Sequence, residues 1–380
     1  MRVQLVDPAA YTPPYDHALA GALARAGADV ELITSHFPYG PVPREDGYTV
    51  RELFYRRGSR DGLSPTRRRA LRAAEHIPDM RRYRRVAEEA DLVHYQWLPL
   101  PALDRHLLAP KRPRVYTMHW RLPDSRTRIA RTLTRLLAEM DAVVVHSEHG
   151  ARRLESDFGV PPERLRVIPH GAFDYLTRQP DELPLPEELR EVEGPVVLAF
   201  GLVRPYKGTD VLLEAMKRVE GAELWVAGMP RMPMDDLRAL ADQVPVTVRF
   251  VDRFISDNEI PAFMQRADVV VLPYRNIEQS GVLYTALAFG RPLLLSSVGG
   301  FPEIAERGAA RLVPPEDPEA LGGALRELLT DQRARNSLGA AASREASTTY
   351  SWERIAEATM DLYRELLGRT ESAPAADNPR

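Results

Sequence analysis

The chain has 380 residues, of which 44% are hydrophobic and 28% are charged, a balance typical of a folded globular protein. The length predicts two domains and excludes a wholly disordered chain. The chain has no cysteine, which excludes disulfides, thiolate metal sites and cysteine nucleophiles and fits a reducing compartment. No apolar run approaches the roughly 18 residues of a membrane span, and the N-terminus is typical of a first strand and not of a signal peptide. We therefore expect a cytoplasmic protein.

The charges are distributed unevenly. Residues 1–180 carry 29 Lys and Arg against 22 Asp and Glu, a net charge of +7, and the remaining residues carry a net charge of −10. Only three of the 51 basic residues are lysines, namely Lys111, Lys207 and Lys217. The arginine excess is typical of a GC-rich genome, and it makes the position of each lysine informative.

Strand-like apolar runs alternate with amphipathic helices along the whole chain. This alternation predicts an α/β architecture with parallel sheets. The candidate strands of the first half are residues 3–6, 30–33, 92–95, 115–118, 142–145 and 166–168, and those of the second half are residues 196–200, 223–227, 246–251, 269–272, 292–295 and 311–313.

The chain is predicted to form two Rossmann-like domains of similar size with a cleft between them. Open α/β sheets bind ligands at the carboxyl ends of their strands, so this cleft is where a ligand is expected. The predicted segments are a first domain (1–176), a proline-rich acidic linker (177–194), a second domain (195–350), an amphipathic helix (351–368) and a disordered tail (369–380).

The most informative motif is residues 201–208, where a buried strand ends and a helix follows. Gly201 ends the strand, Arg204 and Lys207 lie in the short loop, and a helix begins after Gly208. Two cations beside a helix N-terminus could hold a diphosphate. A solvated loop with incidental charges is the competing interpretation.

A second motif has the same organisation. The strand at 269–272 ends in a polar loop that contains Glu278, and Ser280 with Gly281 opens a helix. The first backbone N–H groups of a helix have no partner within it, so those of Ser280, Gly281 and Val282 could bind an anion. Ser-Gly alone is more often a plain helix cap, but two such junctions in one domain are a stronger signal.

Together these motifs resemble the retaining glycosyltransferases of family 4, which have the GT-B fold. The matching segments of the second half are residues 201–208, 267–273, 278–292 and 299–303, and those of the first half are residues 116–120, 144–147 and 167–171. The resemblance covers roughly residues 1–365 in matching order and spacing. It implies that the helix at 351–368 crosses back to the N-terminal domain.

The resemblance implies transfer of a hexosyl group from a nucleotide diphosphate sugar to an acceptor hydroxyl, with retention and without a metal or other cofactor. A UDP-sugar is the first expectation on family frequency. The implied catalytic residues are His119, Glu278, Arg204 and Lys207. The expected donor-binding residues are Gly201, Arg204, Lys207, Gly228, Arg253, Glu278, Ser280, Gly281, Val282 and Thr285, and the expected acceptor-binding residues are Tyr11, Tyr15, His94, Trp97 and Trp120. His94 and Trp97 are included because they follow a strand, and a packed strand end is an equally good interpretation of these two.

The chain departs from the family pattern at several positions. Leu202 stands where the family has an arginine, for which Arg204 is the expected substitute. Ile277 and Thr285 stand where the family has two glutamates, the second of which holds the ribose, and Glu278 is one position from the first. The glycine pair of the family's first loop is absent from residues 8–17.

Two rival functions share this architecture. A nucleotide-sugar 2-epimerase would need acid and base side chains in other positions, and a non-catalytic nucleotide-sugar-binding scaffold is suggested by the substitutions at Leu202 and Thr285. The lack of Gly-x-Gly-x-x-Gly after the first strand argues against a dinucleotide-dependent oxidoreductase.

Residues 51–85 form a basic run with twelve arginines against four acidic residues. The run could bind an anionic membrane at the inner face of the cell, or it could bind an anionic acceptor. Nucleic acid is a poorer one, because the run lacks a stacking platform, so we expect no nucleic-acid partner. A solvated basic face is the simplest alternative.

Overall fold

The computed structural model describes residues 1–38, 40, 42, 46–110, 113–119, 121–192 and 194–372. The chain divides into two compact units. The first comprises Met1–His170 together with the C-terminal segment from Trp352, and the second comprises Gly171–Ser351. Residues 177–194, the predicted linker, fall within the second unit.

The first unit is built on a seven-stranded parallel sheet with the order β3-β2-β1-β4-β5-β6-β7. Its strands are β1 (Arg2–Asp7), β2 (Asp29–Thr34), β3 (Thr49–Glu52), β4 (Leu92–Tyr95), β5 (Arg114–Thr117), β6 (Ala142–Val145) and β7 (Leu165–Val167). Its first five helices are α1 (Pro13–Arg25), α2 (Pro65–Val86), α3 (Pro101–Asp104), α4 (Arg128–Leu137) and α5 (Glu148–Phe158). Buried side chains of α2, α4 and α5, such as Met80, Leu133 and Leu154, pack with Val93 and Val143 in one core.

The second unit is built on a six-stranded parallel sheet with the order β10-β9-β8-β11-β12-β13. Its strands are β8 (Val196–Phe200), β9 (Glu223–Ala227), β10 (Val248–Val251), β11 (Val269–Leu272), β12 (Leu293–Ser296) and β13 (Arg311–Val313). Its helices are α6 (Glu187–Arg190), α7 (Thr209–Met216), α8 (Asp235–Ala241), α9 (Ile260–Arg266), α10 (Gly281–Ala288), α11 (Phe301–Glu306), α12 (Pro318–Thr330) and α13 (Gln332–Ser347). Neighbouring strand residues such as Val270 and Val271 belong to separate cores, because successive side chains point to opposite faces of a sheet.

The C-terminal helix α14 (Trp352–Ser372) packs against α1 within the first unit. It continues past residue 368, so the predicted tail is wrong for residues 369–372. The physical reason is an ion pair one helical turn apart between Glu365 and Arg369, which favours helix beyond the last apolar residue. Residues 373–380 of the predicted tail lie outside the described residues.

The two parallel sheets confirm the predicted α/β class. Strand β3 was not predicted, because Thr49–Glu52 contains one apolar residue and lies at the sheet edge. Eight of the twelve arginines of the basic run lie on one helix, α2, which continues through Pro78. Over the part of the chain that the structure covers, no helix combines the length and apolar character that crossing a bilayer requires.

The strand orders identify the point at which each sheet binds ligands. In the first sheet the order reverses between β1 and β4, and in the second it reverses between β8 and β11. Ligands of open α/β sheets bind at such reversals, outside the carboxyl ends of the strands. The loops after these four strands are therefore the first places to look for functional residues.

Candidate active site

In the second unit the loop after β8 lies directly against the first turn of α10. Gly201 has a φ of +88°, and a Cβ atom at this position would come within 2.9 Å of Val282 Cγ2 and 3.1 Å of Lys207 Nζ. Only glycine allows both the left-handed backbone and this close approach. The structure thus brings together Gly201, Lys207 and Val282, three of the predicted donor-binding residues.

The ammonium group of Lys207 is half-buried between the loop and an aromatic ring. Its Nζ atom donates a hydrogen bond to the Phe200 carbonyl oxygen over 3.4 Å and lies 5.2 Å from the centre of the Tyr274 ring. Burial, together with the nearby positive charge of Arg204, lowers the pKa of Lys207 to about 8. Lys207 is therefore mainly a cation at neutral pH.

Arg275, which was not among the predicted site residues, fixes the basic loop. Its guanidinium pairs with both carboxylate oxygens of Asp210, at 2.9 and 2.6 Å, and donates to the Pro205 carbonyl oxygen over 2.7 Å. Its backbone N–H donates to the Tyr206 carbonyl oxygen. The loop that carries Lys207 is thus anchored to the loop after β11.

The side chain of Arg204 is exposed, and no ion pair with it occurs among residues 1–38, 46–110, 113–119, 121–192 and 194–372. Asp210 and Glu316, the acids beside this loop, are instead paired with Arg275. The guanidinium of Arg204 is therefore available to an anionic ligand.

The loop before α10 and the first two turns of this helix hold four more of the predicted residues, namely Glu278, Ser280, Gly281 and Thr285. Glu278 is buried in the loop, and the hydroxyl of Ser280 lies 3.3 Å from that of Tyr274. Thr285 is also buried, and its hydroxyl donates to the Gly281 carbonyl oxygen over 3.0 Å. The Thr285 hydroxyl donates within the helix and keeps its acceptor capacity, so its contact with the donor stays a prediction.

The remaining two donor residues have mainly structural contacts. A Cβ atom at Gly228 would lie 2.2 Å from the Gly201 carbonyl oxygen, so Gly228 keeps the two strand ends close. The guanidinium of Arg253 pairs with both oxygens of Glu259, the nearer at 2.5 Å. This pairing lowers the pKa of Glu259 to about 2. The contact of Arg253 with a donor stays a prediction.

In the first unit, aromatic and imidazole rings gather where the strand order reverses. Tyr15 is buried with its ring centre 4.8 Å from those of both His119 and His170 and 5.3 Å from that of Trp352. The His119 ring stacks on Trp97, with centres 5.4 Å apart and an interplanar angle of 14°. We refer to these five residues as the ring cluster.

Hydrogen bonds fix the orientation of two imidazoles. His119 Nε2 lies 3.0 Å from the side-chain oxygen of Gln96, so Nε2 is the donor and Nδ1 is the acceptor. His146, 5.2 Å from His119 between ring centres, donates from Nδ1 to the Ile168 carbonyl oxygen. Burial lowers the pKa of His119 well below its usual value, assisted by the neighbouring imidazoles, and lowers that of His146 to about 4. Both rings are therefore neutral at physiological pH.

His146 and His170 were not predicted as site residues, although a sequence signal for them existed. His119, His146 and His170 all follow closely on neighbouring strands, β5, β6 and β7. Because the carboxyl ends of parallel strands lie at one edge of the sheet, a histidine after each strand predicts a cluster there.

Two predicted acceptor residues, His94 and Trp120, do not belong to the ring cluster. His94 is buried, with Nδ1 2.6 Å from the Tyr363 hydroxyl and Nε2 2.7 Å from the Thr117 hydroxyl. Both of its ring nitrogens are bound within the core, and the contact of His94 with an acceptor stays a prediction. Trp120 lies outside the described residues.

The loop after β1 is organised by the buried carboxylate of Asp7. This carboxylate accepts hydrogen bonds from the backbone N–H groups of Ala9, Tyr11 and Thr12. Ala10 has a φ of +50°, a left-handed conformation in the loop where the resembling family has its glycine pair. The exposed ring of Tyr11 meets Trp97 edge-on, with centres 5.1 Å apart, at the border of the ring cluster.

No group of three histidine or acidic side chains arranged to hold a metal ion occurs in the residues that the structure describes.

Comparison with known proteins matches both units to glycosyltransferases. Residues 15–172 match the family model described as Glycosyltransferase Family 4, and residues 194–331 match that of Glycosyl transferases group 1. The D-inositol 3-phosphate glycosyltransferase of Xylanimonas cellulosilytica is 30% identical over 377 residues, which cover 91% of this chain and 89% of that protein.

Two solved structures are similar over nearly the whole chain. Sucrose-phosphate synthase from Thermosynechococcus elongatus has a TM-score of 0.74 at 20% identity, with 97% of this chain and 100% of that chain covered. HepE of Anabaena, solved in complex with UDP, has a TM-score of 0.72 at 18% identity, with 96% and 100% covered. These similarities show that the two parallel-sheet units are those of the GT-B fold.

The first matched segment contains His119 and His170 of the ring cluster, and the second contains the loop with Lys207. With these matches and a 30% identical relative along nearly its full length, the chain belongs to glycosyltransferase family 4.

Proposed function

We propose that this chain is a retaining glycosyltransferase that moves a sugar from a nucleotide diphosphate sugar to a hydroxyl group of an acceptor. The second unit binds the donor and the first unit binds the acceptor. The observation that carries the proposal is the meeting of Lys207 Nζ, Gly201 and the first turn of α10 beside the sheet's strand reversal. A diphosphate placed there meets a cation and the free N–H groups of a helix N-terminus.

The chemistry follows from the charge that develops on the donor. The bond between the anomeric carbon and the phosphate oxygen breaks, and the acceptor oxygen forms its bond to the anomeric carbon on the same face. The departing phosphate oxygen takes the acceptor's proton, so no protein base is needed. Lys207 and Arg204 stabilise the negative charge that grows on the diphosphate, and fixed cations of this kind favour the transition state over the ground state.

In the second unit, Glu278 accepts hydrogen bonds from the hydroxyl groups of the donor sugar. In the first unit, the neutral His119 ring offers a hydrogen-bond acceptor at Nδ1 to a substrate hydroxyl group, because its Nε2 is already used by Gln96.

The relatives support a first choice of substrates. A UDP-sugar is the donor that we propose, because the structurally similar HepE was solved with UDP. A small polyhydroxylated acceptor is supported by the relative named a D-inositol 3-phosphate glycosyltransferase.

A nucleotide panel tests the donor assignment. Thermal unfolding is measured with UDP, GDP, ADP and dTDP, and a ligand at about 100-fold its dissociation constant adds roughly 2.7 kcal/mol to the stability of the folded state. Slow hydrolysis of the matching nucleotide sugar supports transfer, and NMR of the anomeric proton in the product tests retention. Exchange of the C2 proton indicates an epimerase, and absence of any nucleotide binding indicates a scaffold.

We also propose that the enzyme is cytoplasmic and contacts the inner, anionic face of a membrane through α2. The outer stripe of this helix exposes Arg67, Ile77, Arg81 and Arg85, which recur at helical spacing. Arginines flanking an exposed apolar residue suit the boundary between headgroups and acyl chains. Arg72, by contrast, is bound to the Ser59 hydroxyl.

A further inference from the structure

In the second unit the loop after β8 lies along the loop after β11. The Tyr206 carbonyl oxygen accepts a hydrogen bond from the backbone N–H of Arg275 over 2.8 Å. Two residues further on, Gly208 has a φ of +66°, and a Cβ atom there would come within 2.1 Å of the Pro273 carbonyl oxygen. Lys207 lies between these two contacts, so the place of its side chain depends on how the two loops are held together.

The guanidinium of Arg275 ties this contact to both ends of the turn that carries Lys207. It donates to the carbonyl oxygen of Pro205, where the turn begins, over 2.7 Å. It also pairs with both carboxylate oxygens of Asp210, in the first turn of α7, at 2.9 and 2.6 Å. Its Nε atom donates to Glu316 Oε1 over 3.0 Å. All three guanidinium nitrogens are thus engaged, which requires the planar fork of arginine.

The same pairing keeps a negative charge away from Lys207. Burial alone would raise the pKa of Asp210, but the hydrogen bonds and the charge of Arg275 lower it below its usual value, so Asp210 is ionised. Asp210 follows Lys207 by only three residues. A carboxylate released from Arg275 at this position would attract the ammonium group and compete with a diphosphate for it.

The surroundings of Lys207 make its charge state a sensitive indicator of this pairing. The ionisable side chains that act on its ammonium group are Arg204 and Tyr206 from its own loop and Tyr274 from the loop after β11. A freed carboxylate would be a new neighbour of opposite charge. The ionisation of Lys207 should therefore change when Arg275 is removed.

We infer that Arg275 is a positioning residue of the donor site, which sets the place of Lys207 and leaves its charge to the donor's diphosphate. The inference rests on the proposed function. Arg275 acts through Lys207, because its own guanidinium nitrogens are bound to oxygens of the protein. Its removal should therefore matter only while Lys207 is present.

The ionisation of Lys207 can be measured without a nucleotide. The chain has three lysines, Lys111, Lys207 and Lys217, so NMR of protein labelled with ¹³C at the lysine ε carbons gives few signals, and the one missing from Lys207→Ala is assigned. In Arg275→Met we expect the pKa of Lys207 to rise from about 8 towards the value of about 10.4 of an unperturbed lysine. Water then reaches the loosened loop, and the freed carboxylate of Asp210 favours the charged ammonium.

A double-mutant cycle tests whether Arg275 acts through Lys207. The affinity is measured by calorimetry with UDP, or with whichever of GDP, ADP and dTDP the wild-type protein binds instead. Arg275→Met alone should weaken binding about 10-fold, the lower end of the effect of a lost hydrogen bond to a charged group. In the Lys207→Ala background the same change should alter the affinity less than about twofold, because the group that Arg275 positions is already absent.

Two further variants complete the test. Arg275→Lys should also lose most of the effect, since one ammonium group cannot bind the Pro205 carbonyl oxygen and both oxygens of Asp210 together. Arg249→Met is the matched control, because Arg249 pairs with both oxygens of Glu223, at 2.7 and 3.2 Å, on neighbouring strands of the same unit. It should change neither the pKa of Lys207 nor the nucleotide affinity, and thermal unfolding checks that every variant is folded.

The outcomes separate this inference from the proposed function. If the wild-type protein binds a nucleotide diphosphate and hydrolyses its sugar, but Arg275→Met changes neither the pKa of Lys207 nor the affinity, the inference is wrong and the proposed function stands. If the pKa of Lys207 depends on Arg275 but no nucleotide binds, the proposed function is wrong and the coupling of the two residues stands. Equal losses from Arg275→Met with and without Lys207, or wild-type behaviour of Arg275→Lys, would overturn the positioning role.

Discussion

The ammonium group of Lys207 lies 5.2 Å from the centre of the Tyr274 ring, so a cation from the loop after β8 rests on an aromatic residue from the loop after β11. Such a contact is worth about 0.5–2 kcal/mol, more when it is shielded from water. It holds the charge at the strand reversal of the second sheet without neutralising it. A ligand's diphosphate can therefore still bind it.

The charge state of Lys207 predicts how donor binding depends on pH. Its pKa of about 8 means that the free protein loses this cation as the pH rises through 8. The affinity for UDP should therefore fall between pH 7 and pH 9. In Lys207→Arg the guanidinium stays charged, so the decline should be much smaller, as calorimetry at several pH values would reveal. An equal decline in both proteins would mean that another group controls binding.

Glu278→Gln should lower turnover by about 10–100-fold, the range expected for a lost hydrogen bond to a charged group. The affinity for free UDP should stay nearly unchanged, because a nucleotide without sugar offers this side chain nothing to bind. Steady-state kinetics and calorimetry measure the two quantities separately. Glu220→Gln, at an exposed position of the same unit, is the control. Unchanged turnover in Glu278→Gln would make Glu278 only a loop residue.

His119 should act without changing its charge. Because burial and the neighbouring imidazoles lower its pKa well below the usual value, kcat/KM should show no acidic decline near pH 6.5. His119→Ala should reduce kcat/KM at every pH from 6 to 8 by a similar factor. His106→Ala, an exposed histidine of the same unit, should have no such effect. An acidic limb near pH 6.5 that disappears in His119→Ala would show that the ring is protonated during the reaction.

The exposed stripe of α2 predicts salt-sensitive binding to anionic membranes. Vesicles containing phosphatidylserine should bind the protein at low ionic strength and release it as salt is added, since screening acts within about 8–10 Å. The double variant Arg81→Ala/Arg85→Ala should bind these vesicles more weakly, with a loss of about 1 kcal/mol of binding free energy for each charge removed. Arg326→Ala/Arg333→Ala, which changes exposed arginines of the second unit, is the control. Equal binding to neutral and anionic vesicles would contradict the membrane assignment.

Local sequence patterns were sufficient to predict most of the fold. Strands β6, β8 and β11 consist of continuous apolar residues, and such runs are predictable because both faces of a parallel sheet are buried. Strand β3 lacks this pattern because one side of an edge strand has no neighbour.

The candidate site was predictable only in part. Gly201 and Lys207 could be identified because a glycine and a cation at the end of a strand have a local meaning. Arg275 could not, because its partner Asp210 lies 65 residues away and the pairing arises only when two loops meet. Thr285 could be placed on α10 from the sequence, but the direction of its hydroxyl depends on the helix backbone.

The loss of turnover in Lys207→Ala tests the central claim most directly. If Lys207 stabilises the departing diphosphate, kcat of this variant should fall about 10²–10³-fold, which corresponds to about 2.7–4 kcal/mol of lost transition-state stabilisation. Its unfolding temperature should stay unchanged. Lys217→Ala is the matched control, because Lys217 lies in the same unit and pairs with Glu214 at a position away from the strand reversal. Full activity in Lys207→Ala, with normal thermal stability, would contradict the diphosphate site and the glycosyl transfer built on it.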